Sequence, residues 1–156
     1  IISGTETRSA TSLLSRCKSF AYGASIQARR QALEAGADDA LLASSAGGLC
    51  CGTSANLLVC RGGSWITPPL SSGCLPGVMR QRGLETGLIT ECDVQKPELL
   101  TCDAAWLINS LNCRPISHFH DAKLKNSHWE DPETAWRRLL MAGGFKHLKS
   151  AESFPG

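Results

Sequence analysis

The apolar positions of this chain fall into short runs separated by glycine-bearing turns. DDALLAS (residues 38–44), NLLVCR (56–61) and SWIT (64–67) are cut apart by SAGG and GG. Strand-length runs joined in this way predict an antiparallel meander. A helical period governs SIQARRQALEA (25–35), whose strong helix formers lead to Gly36, a favourable stop. Further on, the pattern predicts a helix from Gly77 to Glu85, a strand near 88–92, a short helix after Pro97 and a buried strand at AAWLIN (104–109). Asp131-Pro132-Glu133 offers a cap and first turn for a helix through WRRLLMA that ends at Gly143-Gly144, with Trp136, Leu139 and Leu140 as its core face. The opening residues read as strand as far as Lys18. Such a mixture predicts an α/β or α+β domain with a mainly antiparallel sheet.

Composition narrows the class. The 156 residues are 42% apolar and 19% charged, enough to bury a core and too varied for a disordered segment. A net charge of +2 without a basic stripe argues against a nucleic-acid partner. The sequence has neither an apolar run long enough to span a bilayer nor a signal-peptide pattern, so a cytoplasmic protein without a membrane partner is expected. Because it opens at Ile1 in strand-like sequence, it is expected to be a piece of a longer protein. Eight irregularly spaced cysteines form neither a disulfide framework nor paired zinc ligands. Free thiols are expected, with Cys50, Cys60, Cys92 and Cys102 acting as small hydrophobes. His118 and His120 would share one face of a strand, but with no third ligand a polar sheet face is expected rather than a metal site.

The candidate chemistry begins at LPGVMRQRGLE (75–85). A Pro-Gly turn opening a helix aims unpaired backbone N–H groups at whatever precedes it, and such a start suits phosphate. Around it lie CKSFAY (17–22), CCGTSANLLV (50–59), TPPLSSGC (67–74) and WLINSLNCRPI (106–116). Each has an ordinary reading by itself: Lys18 as a surface lysine, Tyr22 as packing, Leu75 as core, Asn109-Ser110 as a polar turn capping AAWLI, and Asn56 as a structural residue opening its strand.

Taken in order, these segments resemble the C-terminal domain of the class IV, or fold type IV, pyridoxal-phosphate enzymes. That family contains branched-chain aminotransferases, D-amino-acid aminotransferases and aminodeoxychorismate lyases. The resemblance covers residues 18–116; no family pattern is visible from Ser117 onward. It implies that residues 1–156 form a domain binding pyridoxal 5'-phosphate, its sheet wrapped into a pseudo-barrel with flanking helices. It further implies that an absent N-terminal domain supplies a phosphate-binding Arg and much of the substrate pocket, and that a homodimer completes the site. Lys18, 33 residues ahead of Cys51, is then the catalytic lysine that holds the cofactor and moves protons. Tyr22 faces the cofactor's phenolic oxygen, and Leu75 packs on its ring. Gly77, Val78 and Met79 match the family's Gly-Ile-Thr, whose backbone N–H groups hold the phosphate; Met79 lacks the usual hydroxyl. Asn109 and Ser110 reach the phosphate or the substrate carboxylate, with Asn109 the better candidate.

The sharpest departure is Cys51, which stands where most of the family has Glu in EGTSxN. A carboxylate there keeps the pyridine nitrogen protonated, whereas a thiol is a weak donor at best. A weaker electron sink disfavours complete transamination and suits elimination. The expected activity is therefore that of an aminodeoxychorismate lyase, a step of folate biosynthesis that releases pyruvate and 4-aminobenzoate from 4-amino-4-deoxychorismate. The alternatives are an aminotransferase for small amino-acid-like substrates, of branched-chain or D-amino-acid type, and a non-catalytic homologue. A carboxylate supplied from elsewhere in the fold would also repair the departure.

Overall fold

The computed structural model describes residues 1–19, 22–126 and 131–142. Strands β1 (Ile2–Arg8), β2 (Ala40–Ser44), β3 (Leu49–Gly52), β4 (Asn56–Arg61), β5 (Ser64–Thr67), β6 (Ile89–Glu91), β7 (Ala104–Ile108) and β8 (Cys113–Pro115) make one eight-stranded sheet. Helices α1 (Gly23–Glu34), α2 (Val78–Glu85), α3 (Lys96–Thr101) and α4 (Pro132–Ala142) flank it, and β9 (His118–Phe119) and β10 (Ala122–Lys123) form a separate hairpin. Pairing is antiparallel except for β1 with β2 and β5 with β6. The sheet branches at β4: β7 runs along one edge of it, while β3 meets the other edge at Asn56 and β5 takes over from Val59. This is the mixed, sheet-dominated α+β architecture that the pattern predicts.

The continuous apolar runs have a simple cause, which is that the sheet is covered on both faces. Neighbours along a strand point to opposite sides. Thus Leu41, Leu49, Leu57 and Leu107 enter one cluster. Leu42 and Cys50 pack instead with Ala28 and Ala32 of α1. Leu58, Trp106 and Ile108 pack with Met79 of α2 and with Ala135 and Leu139 of α4. Each fully buried leucine contributes about 1.5–3 kcal/mol of transfer free energy. Helix α1 stops as its sequence predicts: Gly36 takes φ of 77°, its N–H bonds Leu33 O at 3.0 Å, and Ala37 N bonds Ala32 O at 2.9 Å.

Several expectations need correction. Strand β1 ends at Arg8, and a 3-10 turn over Leu13–Arg16, started by the Ser12 hydroxyl accepting from Leu14 N, separates it from Lys18. Strand β3 was not anticipated, because LCCG is too short to show a period. His118 and His120 do not share a strand face: β9 ends at Phe119, and His120 turns the chain with φ of 51°. The His120 Nε2 accepts from Ser3 N at 3.2 Å, and no cluster able to hold a metal occurs among the described residues. Cys92 is exposed rather than packed, and Leu140 is 44% exposed whereas Leu139 is buried. Asp131 caps α4 through Thr134 N at 3.0 Å, but the predicted stop at Gly143-Gly144 lies outside the described residues. Among these residues no helix is long and apolar enough to cross a membrane.

Candidate active site

A cavity of about 430 Å³ lies where the β1–α1 stretch, the β3–β4 turn, the loop entering α2 and the loop after β7 converge. That volume is in the range of small-molecule sites. Of the residues singled out above, Lys18, Tyr22, Cys51, Leu75, Gly77, Asn109 and Ser110 all line it. The Lys18 ammonium has no hydrogen bond or ion pair among the described residues and is exposed on the cavity side. Tyr22, half-buried, sits at the start of α1 without capping it.

The loops are fastened by contacts distant in sequence. Arg8, also on the wall, donates from Nη2 to Ser15 O at 2.7 Å and from Nε to Gly73 O at 3.2 Å. It thereby ties the lysine stretch to the loop that enters α2. Asn56 donates from Nδ2 to Leu75 O at 2.8 Å, so the strand that it opens also holds the Pro-Gly turn. Behind the β3–β4 turn, buried Asp39 accepts from Thr53 Oγ1 at 2.5 Å, Ala40 N at 2.9 Å and Arg114 Nη2 at 2.8 Å. Burial alone would raise the Asp39 pKa; the Thr53 hydroxyl, the Ala40 and Thr53 N–H groups and Arg114 outweigh it and hold the carboxyl below its ordinary value.

Helix α2 starts at Gly77, which has no side chain to cap it. The N–H of Gly77 itself turns inward to Leu75 O at 2.8 Å, so it is not a free donor. The first-turn N–H groups of Val78 and Met79 have no intrahelical acceptor, and Gly77 at that helix start lines the cavity. Neither side chain joins the lining: Val78 is 57% exposed and Met79 is buried in the core. In the loop after β7, Asn109 and Ser110 are held differently. Asn109 Oδ1 accepts from Leu111 N at 2.8 Å and Asn112 N at 3.0 Å, and its Nδ2 donates to Ser54 O at 3.3 Å. Its carboxamide is mostly spent on the turn, whereas Ser110, also on the cavity wall, has no side-chain partner among the described residues.

Cys51 lies on the wall as a buried residue. Its neighbour Cys50 is pushed up to about 12 by hydrogen bonding to Cys51 and by burial, so that thiol stays protonated at neutral pH. No Asp or Glu lines the cavity, and Arg8 and Lys18 do. The replacement carboxylate considered from the sequence is therefore not found among the described residues. Arg8, Asp39 and the support of Asn109 were missed in the sequence, because their partners lie far along the chain.

The sheet and its helices are arranged as in the fold type IV aminotransferase domains. Residues 1–119 match the family model for amino-transferase class IV, and the chain belongs to that family. A Schizosaccharomyces pombe protein named as a candidate aminodeoxychorismate lyase is 39% identical over 85 residues, which cover 53% of this chain and 37% of that protein. A candidate 4-amino-4-deoxychorismate lyase of Legionella pneumophila superposes with a TM-score of 0.76 at 28% identity, over 90% of this chain and 53% of its own. A branched-chain amino acid aminotransferase of Thermobaculum terrenum, solved in its PLP form, superposes with a TM-score of 0.74 at 27% identity, over 88% of this chain and 47% of its own. The chain thus spans 37% of the S. pombe relative and about half of the solved ones.

Proposed function

We propose that residues 1–156 are the cofactor-binding C-terminal domain of a cytoplasmic, homodimeric, pyridoxal-phosphate-dependent lyase of the aminodeoxychorismate type, with Lys18 as its catalytic lysine. One observation carries the reading: Lys18, the uncapped start of α2 and Ser110 line a single cavity whose described wall has Arg8 and Lys18 and no carboxylate.

The residues present fit the phosphate. Val78 and Met79 offer backbone N–H groups, Ser110 offers a hydroxyl, and Arg8 and Lys18 offer positive charge. Leu75 gives the ring an apolar wall, and Tyr22 gives its phenolic oxygen a partner. When bound, the cofactor supplies a carbonyl for a lysine amine and a ring that accepts electrons. Lys18 Nζ would hold the group through that carbonyl and, when free of it, would serve as the base. It then takes the proton from the amine-bearing carbon and returns one to the methylene carbon of the departing enolpyruvyl group. In this way 4-amino-4-deoxychorismate divides into 4-aminobenzoate and pyruvate with no atom gained or lost. Cys51 favours the lyase over an aminotransferase, because neither it nor any other described wall residue is a carboxylate able to keep a ring nitrogen protonated. The comparable likeness to the Thermobaculum aminotransferase keeps transamination of a small amino acid as the second reading.

The test uses the full-length protein, including its N-terminal domain, supplied with pyridoxal phosphate. A visible absorbance band that borohydride bleaches, with the label on Lys18 and lost in Lys18→Ala, is expected. Pyruvate released without a 2-oxo-acid acceptor supports the lyase, and turnover only with an acceptor supports the aminotransferase. Failure to take up cofactor even in excess would make the chain a non-catalytic homologue.

A further inference from the structure

We propose that α4, which lies beyond the family-matched residues 1–119, sets the grip on the cofactor's phosphate, and that Trp136 is the positioning residue through which it acts. The inference rests on the phosphate site proposed above.

The two segments facing the phosphate are the first turn of α2 and the loop after β7, and α4 touches both. Its Trp136 Nε1 donates to Asn109 O at 3.0 Å, one residue before Ser110. With the Asn109 side chain already folded into its own turn, this bond fixes the one remaining acceptor of the residue that aims Ser110. On the other side, Ala135 and Leu139 pack in the same cluster as Met79, whose N–H belongs to the α2 start. Arg82 of α2 donates from Nη1 to Leu140 O at 2.6 Å, joining the two helices a second time. A single rigid helix therefore holds the α2 start and the Ser110 loop in register. Tryptophan suits the task because its ring packs while its N–H needs a partner.

The consequence is selective. Loosening the Asn109 loop weakens contacts with the phosphate but not with the ring. In the full-length protein carrying Trp136→Phe, which keeps the packing and removes the N–H, affinity for pyridoxal phosphate should fall about fivefold, the equivalent of one hydrogen bond. Affinity for pyridoxal, which lacks the phosphate, should stay within about twofold. Arg82→Gln, at a half-buried position on α2, should move the same ratio in the same direction and serves if the first variant does not fold. Both affinities are read from cofactor absorbance in equilibrium titrations. Unchanged binding of pyridoxal phosphate, or equal losses for both ligands, would overturn the role of α4. If the unaltered protein bound neither ligand, the cofactor reading itself would fall and take this inference with it.

Discussion

Gly77→Ala tests the construction of the turn that enters α2 without touching any charged group. The backbone at Gly77, with φ of −68° and ψ of 142°, suits any residue, so the cost is steric. A Cβ there would lie 2.1 Å from Asn56 Oδ1 and 3.3 Å from Asn56 Cγ. Asn56 is 6% exposed and tied to Leu75 O at 2.8 Å, so its amide can retreat only by giving up that bond. Overpacking costs about 1–3 kcal/mol and a lost buried hydrogen bond about 1–3 kcal/mol. The amide relieves one by conceding the other, which puts the variant at about 2 kcal/mol. Asn56→Ala alone should cost about 1 kcal/mol, because Leu75 O keeps the N–H of Gly77 as a donor. In the double variant the obstructing amide is gone and the new methyl costs little, so the two losses should fall short of additivity by about 1–2 kcal/mol. Urea denaturation of the four proteins measures this. A Gly77→Ala protein as stable as the parent, or strict additivity, would refute the steric account.

Three other outcomes follow from the same geometry. Asp39 has a folded pKa below its ordinary 3.8, so its stabilising effect is present above about pH 4 and is lost as pH falls through the folded value; Asp39→Asn should lower the urea midpoint at pH 7 and flatten the acid limb of stability. Burial pushes the thiols of Cys113 and Cys102 up to about 12 and about 11, so their contribution is intact below pH 9 and falls as the unfolded chain ionises above it. Mass spectrometry after brief alkylation at pH 8 should find label on the exposed Cys17 and Cys92 and on the buried thiols only after denaturation. Cys51→Glu should restore an acid beside the ring and shift the ratio of acceptor-dependent turnover to pyruvate release by about tenfold toward transamination, and an unchanged ratio would remove Cys51 from the argument.

Legibility in the sequence followed the range of the interaction. Helices α1 and α2 were visible because their starts and stops are local: Gly36 and the Pro-Gly turn act within a few residues of where they stand. Most of the meander was visible for the same reason, since its turns carry their own glycines. β3 was not, because four residues buried on both faces show no alternation. Most of the candidate site residues line one cavity, but the sequence does not show how Asn109 and Ser110 are used there. An Asn after a strand satisfies its own turn, and nothing in the string of letters tells a spent carboxamide from a free one. The fasteners Arg8 to Gly73 and Asp39 to Arg114 join residues 65 and 75 positions apart, a range at which one sequence offers no signal.

Charge explains why the same wall can tolerate Cys51. Arg8 is half-buried and bonded only to neutral carbonyls, and Lys18 has no carboxylate partner among the described residues, so the cavity keeps its positive character until an anion enters. A carboxylate at position 51 would compete for those cations with the phosphate or with a substrate carboxylate, at a strength that grows as water is excluded. On the proposed reading, Cys51 adds no such competing carboxylate while giving up control of a ring nitrogen. The arrangement therefore exchanges electron-accepting power for anion affinity. On the proposed reading, that exchange favours a reaction driven by a good leaving group, because a departing enolpyruvyl would carry the charge away and the ring would not need to hold it for long.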